Sequence, residues 1–279
     1  MACAARSGPT RPLLRRIGAK LRSCATVAAD KRLQRGPDSL DEVMRLCTQR
    51  GFVFPNSEIY GGLAGAWDYG PLGAQLKKTL MDRWWRDFVE RRHDCLGLDS
   101  PVIMNPRAWH ASGHVSNFTD PLVECKHCRA RFRADKLIED TLGLSAEAMT
   151  MEEMGQRLAS VRCGSCGTSE SLGVPRKFNL LFRTAIGPVE SQEAEAFLRP
   201  ETAQGAYVAF KRMASVVRRK LPFGVAQMGR SFRNEIAPGH FLFRTREFEQ
   251  LELQYFTDPG EASDHYRAWV EFCQDWLLR

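Results

Sequence analysis

An α+β chain is expected from three features of the sequence. Leu72, Leu76, Leu80, Trp84 and Phe88 recur every fourth residue and predict one apolar stripe on a helix about five turns long. Gly229 to Phe256, "GRSFRNEIAPGHFLFRTREFEQLELQYF", places two strand-like segments on either side of a turn signal, Ala237-Pro238-Gly239. Two C-x-x-C pairs, "CKHC" at 125–128 and "CGSC" at 163–166, bracket a helical stretch and mark residues 123–174 as an insertion.

Ser39 to Arg50 reads as a first helix, with Ser39 as its cap and Glu42 three residues on. The glycine-rich "YGGLAGAWDYGPLG" at 60–73 would let backbone approach something closely. The striped helix follows, and "GLDSPVIMNP" at 97–106 then reads as a short strand bounded by prolines. Inside the insertion one helix is expected over Asp135 to Ala159. "KFNLLF" at 177–182 and "EAFLRPE" at 195–201 read as strands. Thr202 opens a helix on which Ala203, Ala206, Phe210, Met213 and Val217 share a face. Lys211, Arg212, Arg218 and Arg219 lie mostly off that face, as a solvated surface or an RNA-phosphate contact.

The formal charge of +7 does not by itself point to nucleic acid. Residues 1–37 carry nine Lys or Arg against one acid, Asp30, and the remaining 31 basic and 32 acidic residues nearly cancel. This basic leader has the composition of an organellar transit peptide; a disordered extension or a misassigned start codon is the competing reading. The fold is expected in residues 38–279. No run approaches the roughly 18 apolar residues that span a bilayer. Nine cysteines without a secretory signal do not make a disulfide scaffold. In a reducing compartment the paired motifs fit a Cys₄ zinc site at Cys125, Cys128, Cys163 and Cys166, against the alternative of reduced structural thiols. His127 reads as a solvent-facing loop residue rather than a ligand, since four thiolates already complete a tetrahedron.

The hairpin carries the chemistry. In "FEQLELQYF", Leu251, Leu253 and Tyr255 point one way, and Phe248, Gln250, Glu252 and Gln254 the other. Arg233 and Glu235 share a face with Gln227 and Ser231. Antiparallel pairing would gather arginine, phenylalanine and carboxylate on one surface, suited to a nucleotide beside a cationic small molecule: guanidinium on phosphate, ring on base, carboxylate on ammonium. A charged hairpin with cross-strand ion pairs is the plainer alternative.

"FRNE" at 232–235 followed by "FRTREFEQLE" at 243–252 resembles motif 2 of class II aminoacyl-tRNA synthetases. With "GFVFPNSEIYGGLAGAWDYGPLG", "ASGHVSNFTDPLVEC", "RFRADKLIED" and "LRPETAQGAY", the resemblance narrows to the dimeric glycyl-tRNA synthetase family and runs from about Ser39 to Phe256. It implies a six- or seven-stranded antiparallel sheet flanked by helices that binds ATP in a bent form. The long helix and the segment after it correspond to motif 1, which implies a homodimer. The resemblance implies Arg233 and Glu235 as catalytic residues, with Arg233 on the α-phosphate and the glycine carboxylate. It implies an ATP-contacting set of Arg233, Asn234, Glu235, Phe243, Arg244, Thr245, Arg246, Glu247 and Phe248, with Arg244 or Arg246 near the outer phosphates and Phe248 under adenine. Glu201, Phe248, Glu249, Gln250, Leu251 and Glu252 would line the glycine pocket, with Arg133 as a further candidate. Strand parity favours Glu252 over Glu249, because Glu252 shares the face of Phe248.

The implied activity is glycine–tRNA ligation: ATP and Mg²⁺ activate glycine to glycyl-adenylate, which is transferred to tRNA(Gly). Carboxylate attack on a phosphate brings like charges together, so positioning and neutralisation suffice and no covalent nucleophile is needed. Rejection of larger amino acids is steric, so no editing site is required. The implied compartment is the cytoplasm, or a mitochondrion or plastid if the leader is a transit peptide. Only 23 residues follow Phe256, and they read as one amphipathic helix, Glu261 to Leu278. The family's third motif and anticodon-binding domain are absent from these 279 residues, so an incomplete N-terminal portion is expected. The alternative is a non-catalytic synthetase-like module that binds RNA or a partner.

Overall fold

The computed structural model describes residues 39–188, 194–239 and 241–279. The basic leader expected over 1–37 lies outside the described residues. The chain divides into two compact units, 1–49 and 50–279. In the first, helix α1 (Leu40–Gln49) begins where the capping signal places it: Ser39 Oγ accepts from the Glu42 amide at 3.3 Å.

In the second unit, strands β1 (Val53–Pro55) and β2 (Trp67–Tyr69) pair antiparallel and lead into helix α2 (Pro71–Trp85). Here the glycines do what their run suggests. A Cβ on Gly73 would lie 1.9 Å from the Phe52 carbonyl oxygen, and one on Gly70 would lie 2.3 Å from that of Gly51. The helix therefore seats directly on the backbone before it.

The five-residue stripe does not face one way. Trp84 and Phe88 are 7% and 6% exposed, but Leu72, Leu76 and Leu80 are 50%, 59% and 49% exposed. An i, i+4 series advances about 40° per step around an α-helix, and so about 160° between Leu72 and Phe88. The helix also passes into a π-helical stretch at Arg86–Glu90.

The central sheet has three strands in the order β10 (Glu247–Phe256), β9 (Phe223–Phe232), β3 (Cys95–Gly97). β9 and β10 are antiparallel over ten register pairs, from Phe223 opposite Phe256 to Phe232 opposite Glu247. β3 runs parallel to β9, an arrangement that needs the long connection the chain makes between them. The expected six- or seven-stranded antiparallel sheet is thus not found among the described residues. The strand expected at 97–106 is displaced to 95–97. Beyond it, the proline-bearing chain gives the Leu98 amide to Ala226, a bridge from Ile103 to Leu198, and the Ser100 and Val102 carbonyls as acceptors for Arg199 and Gln227.

One sheet face packs Ala226, Met228, Leu251 and Leu253 against Trp84 and Phe88, and against Trp269, Phe272 and Trp276 of helix α8 (Ala262–Leu277). On the other face, Phe223 and Val225 meet Ala206, Phe210 and Met213 of helix α7 (Ala203–Val216). Lys211, Arg212 and Arg218 are exposed, as a solvated face should be.

Asp94 ties these layers together. It accepts both guanidinium bonds of Arg92, at 2.9 and 2.8 Å, and the Tyr255 hydroxyl at 3.0 Å. Burial pushes its carboxyl up, but these donors outweigh burial and hold it below the usual carboxylate range, while the Tyr255 phenol, part-buried beside it, is pushed up to about 12. Asp94→Ala is expected to cost about 2 kcal/mol at neutral pH, because it leaves charged donors unpaired. A carboxyl with a depressed folded pKa stabilises above its unfolded pKa and loses that contribution as pH falls through the folded value. The gap between wild type and variant in denaturant melts should therefore close on acidification. A gap that stays constant down to pH ~2 would refute the linkage.

The insertion opens from β4 (Thr119–Glu124), which pairs with both β5 (Arg131–Arg133) inside it and β6 (Arg176–Asn179) after it. The single helix expected over 135–159 is two, Ala134–Leu142 and Met151–Leu158. The first stops at Gly143 in a left-handed conformation, and the second starts at a Thr150–Glu153 capping box. The strand expected at 177–182 is β6, ending at Asn179, and the one expected at 195–201 is the shorter Glu195–Phe197, which pairs with an unexpected strand, Arg183–Ala185.

Candidate functional site

The site forms where the polar half of the β9–β10 surface meets the loop before α7. Glu252, Gln250 and Phe248 pair with Gln227, Gly229 and Ser231, so this face changes from apolar under α7 to polar beyond it. Thr202 locks two of the three: its hydroxyl donates to Glu252 Oε2 at 2.5 Å, and its amide to Gln250 Oε1 at 3.2 Å. Ser231 Oγ donates to the same Gln250 oxygen at 2.6 Å. Glu201 accepts Gln204 Nε2 at 3.0 Å and lies 3.5 Å from His114 Nε2.

Arg233 follows directly after β9. Its amide bonds the Arg246 carbonyl at 2.9 Å and its Nε the Pro200 carbonyl at 3.1 Å. Its guanidinium carbon sits 5.2 Å from the Phe248 ring centroid and 5.4 Å from that of Phe118. Two rings and a carbonyl fix the plane of the fork and leave no carboxylate bonded to it among the described residues.

Arg133 is part-buried between two carboxylates. Its Nη1 lies 2.6 Å from Asp120 Oδ2 and its Nη2 2.6 Å from Asp135 Oδ2. Burial pushes Asp120 up, against the pull of Arg133, Arg244 and Arg233; Asp135 is held down, because the Arg133 fork outweighs its burial. Glu235 is buried, its Oε2 has no hydrogen-bond partner, and Arg244 Nε stands 3.8 Å away.

Other residues of the expected set lie elsewhere. Arg246 does not reach outward: it donates to the Ala64 and Glu235 carbonyls, and its amide bonds the Gly65 carbonyl. It clamps the glycine-rich loop, where a Cβ on Gly65 (φ +71°) would stand 2.3 Å from Pro238. Of the two arginines proposed for outer phosphates, Arg244 is thus the one left available. Glu249 and Leu251 face away from Phe248, as alternation requires. Glu249 bonds Lys77 at 2.9 Å and Leu251 joins the apolar layer, so neither lines the pocket with Glu252. Glu247 pairs with Arg230 on that same outer side, where the plain cross-strand reading holds. Phe243 is 77% exposed, Thr245 bonds the Glu247 carbonyl, and the Asn234 amide bonds the Leu180 carbonyl. Sequence reasoning missed His114, Phe118, Asp120 and Thr202. They come from segments far from the hairpin, and no periodicity marks them.

The four cysteines converge. Both motifs make the same turn: the fourth residue after the first cysteine, Arg129 or Gly167, has a left-handed backbone and returns its amide to that cysteine's carbonyl. Cys125 and Cys166 sulfurs are 3.8 Å apart, Cys128 and Cys163 3.6 Å, and all four lie within 4.8 Å of one another. A tetrahedron with zinc–sulfur bonds of about 2.3 Å has edges of about 3.8 Å, so the sulfurs fit that ion. The Thr168 hydroxyl and amide hold the Cys166 thiol down to about 5, and the Cys128 amide and Ser171 hydroxyl hold Cys125 down to about 7. Cys128, despite the Ala130 amide, is pushed up to about 11 by desolvation and its neighbouring thiols. Four sulfurs this close resist full ionisation side by side, and a central divalent cation would remove the conflict.

Residues 182–279 match the family described as tRNA synthetase class II core domain (G, H, P, S and T). Over 247 residues the chain is 51% identical to a glycine–tRNA ligase of Bacillus cereus (strain ZK / E33L), an alignment covering 86% of the chain and 54% of the relative. It is 50% identical to that of Geobacillus kaustophilus, covering 86% and 54%, and 49% identical to that of Caldanaerobacter subterraneus subsp. tengcongensis, covering 86% and 53%. The chain spans about half the length of the curated relatives it matches. A solved structure titled as the RNA binding domain of threonyl-tRNA synthetase from Cryptosporidium parvum Iowa II has a TM-score of 0.50 at 19% identity. It covers 82% of this chain and 40% of that one, and speaks to fold alone. No helix of the described residues is long and apolar enough to cross a membrane.

Proposed function

From a chain that is a relative of the glycine–tRNA ligases among class II synthetases, we propose a site that activates glycine with ATP for transfer to tRNA(Gly). The observation that carries this reading is Arg233, held edge-on by Pro200 and flanked by Phe118 and Phe248, on the face that also carries Glu252. A glycine carboxylate oxygen attacks the α-phosphorus of ATP, the bond from that phosphorus to the bridging oxygen breaks, and pyrophosphate leaves. Both reactants are anionic, and the Arg233 fork lowers their repulsion by contacting each. Phe248 carries the adenine, Arg244 and Glu235 face the nucleotide's polyphosphate and its counter-ion, and Glu201 and Glu252 receive the ammonium. Mg²⁺ would supply further neutralisation of the leaving phosphates.

Zinc fits the four cysteines as a structural ion: Cys125 and Cys128 join β4 to β5, and β5 carries Arg133. Arg133 in turn pairs with Asp120, beside the arginines of the site. The exposed leucines of α2, the motif 1 segment, suit a homodimer contact, and the cytoplasm or an organelle would be the place of action.

Incorporation of labelled pyrophosphate into ATP tests the reading. Incorporation should depend on glycine and be far weaker with alanine, whose extra methyl a pocket shaped for glycine excludes. Equal rates with alanine would overturn the glycine selectivity, and no incorporation with any amino acid while the chain dimerises would favour a synthetase-like module without catalysis.

A further inference from the structure

His114 has no role in the scheme above, yet both its ring nitrogens face polar groups. Ser112 Oγ lies 3.2 Å from the Trp109 carbonyl oxygen and 2.8 Å from His114 Nδ1. A hydroxyl has one proton to give. The carbonyl can only accept; with the Ser112 proton on Trp109, the bond to His114 is donated by Nδ1–H. A neutral imidazole with its proton on Nδ1 presents a lone pair at Nε2.

That lone pair faces Glu201 Oε1 at 3.5 Å, an oxygen that accepts Gln204 Nε2 at 3.0 Å and has a second lone pair to offer. The ring cannot easily turn away. Trp109 packs edge-on at 5.5 Å, Phe118 lies at 5.3 Å, and the side chain is 12% exposed. Asn179 Nδ2 holds the backbone through the His114 and Val115 carbonyls. Two acceptors facing each other repel unless a donor joins them. Their separation is too long for a good direct bond, yet one nitrogen can reach both at ordinary hydrogen-bond length. Phe118, packed on His114, also flanks Arg233, so the notch belongs to the same site.

We propose that His114 Nε2 and Glu201 Oε1 form an acceptor pair for a primary ammonium, the amino group of the amino-acid substrate. Glu201 supplies charge and His114 direction. The assignment deepens the glycine reading and rests on it.

Long-range ¹H–¹⁵N spectra of histidine-labelled protein test it, with the His114 signals assigned by His114→Gln. Spectra are taken well above the ordinary imidazole pKa of ~6.5. The expected pattern is a neutral ring protonated at Nδ1, whose Nε2 resonance moves when glycine is added and moves less with methylammonium, which lacks the carboxylate. A ring protonated at Nε2 overturns the proposal. Calorimetric binding of glycine with the His114 Nε2 resonance unmoved also overturns it, and leaves the glycine reading standing. A response to methylammonium but none to glycine keeps the acceptor pair and removes glycine as its ligand; silence to both removes both. In exchange kinetics, His114→Ala is expected to raise KM for glycine roughly tenfold, the loss of one hydrogen bond to a charged group, with KM for ATP unchanged. His114→Gln, whose amide oxygen reaches the same place, should recover most of that loss. A fall in kcat alone, without rescue by glutamine, would mark a merely structural role and refute the pair.

Discussion

Arg233→Ala is expected to lower glycine-dependent ATP–pyrophosphate exchange by roughly three orders of magnitude, the scale of removing one pre-aligned charged donor from a phosphoryl or acyl transition state. The size of the effect follows from how the side chain is held. Its amide and Nε are engaged by Arg246 and Pro200, and two rings fix its plane. The remaining guanidinium N–H groups are thus aimed before substrate arrives, and little reorganisation is needed at the moment of reaction. Arg233→Lys keeps the charge but loses the planar fork and should fall between alanine and wild type, with most of the loss in kcat. The fold should suffer little: one hydrogen bond and two ring contacts amount to about 2 kcal/mol, a few degrees in a thermal melt for a chain of this size. Near-normal exchange in the alanine variant would overturn the placement of Arg233 at the reacting centre. Lost exchange with a collapsed melt would shift its role to structure.

What the sequence disclosed, and what it hid, divides along a physical line. Alternation within β10 is a local property, so it separated Glu252 from Glu249 correctly: one accepts from Thr202 inside the site and the other from Lys77 outside it. The cap at Ser39 and the glycines that must lie on bare backbone were legible for the same reason. Apolar spacing along α2 was legible but over-read, because an i, i+4 series winds around the helix and only its last two members reach the core. Nothing local distinguishes Arg244 from Arg246. Their different fates depend on where the glycine-rich loop passes, a tertiary fact. His114, Phe118 and Asp120 enter the site only because β4 and the turn before it are carried to the hairpin by packing, which one strand's pattern cannot encode.

The chain is expected to hold one zinc ion, and Cys163→Ser is expected to abolish that stoichiometry and unfold the insertion. Cys125 and Cys163 are fully buried members of the insertion's own core, together with Val123, Ile138, Leu158 and Val161, so the metal ligands and the apolar packing are the same structure. Binding free energies for structural zinc are about 10–16 kcal/mol, more than a core of this size can replace. The pH dependence has a definite sign. Zinc binds thiolates, so protons compete with the ion at all four sulfurs and its hold weakens as pH falls. Zinc release to a chromogenic chelator should therefore rise on acidification and be slight in mild alkali. Because β5 follows the first knuckle directly and ends at Arg133, loss of the ion should also loosen the Arg133–Asp120 pair. The expected signature is a higher KM for glycine or ATP before any fall in global stability. Purified protein without metal, in which Cys163→Ser melts like wild type, would reduce the four cysteines to packed thiols and detach them from the site, since nothing else on β5 would then require the knuckles to stay closed.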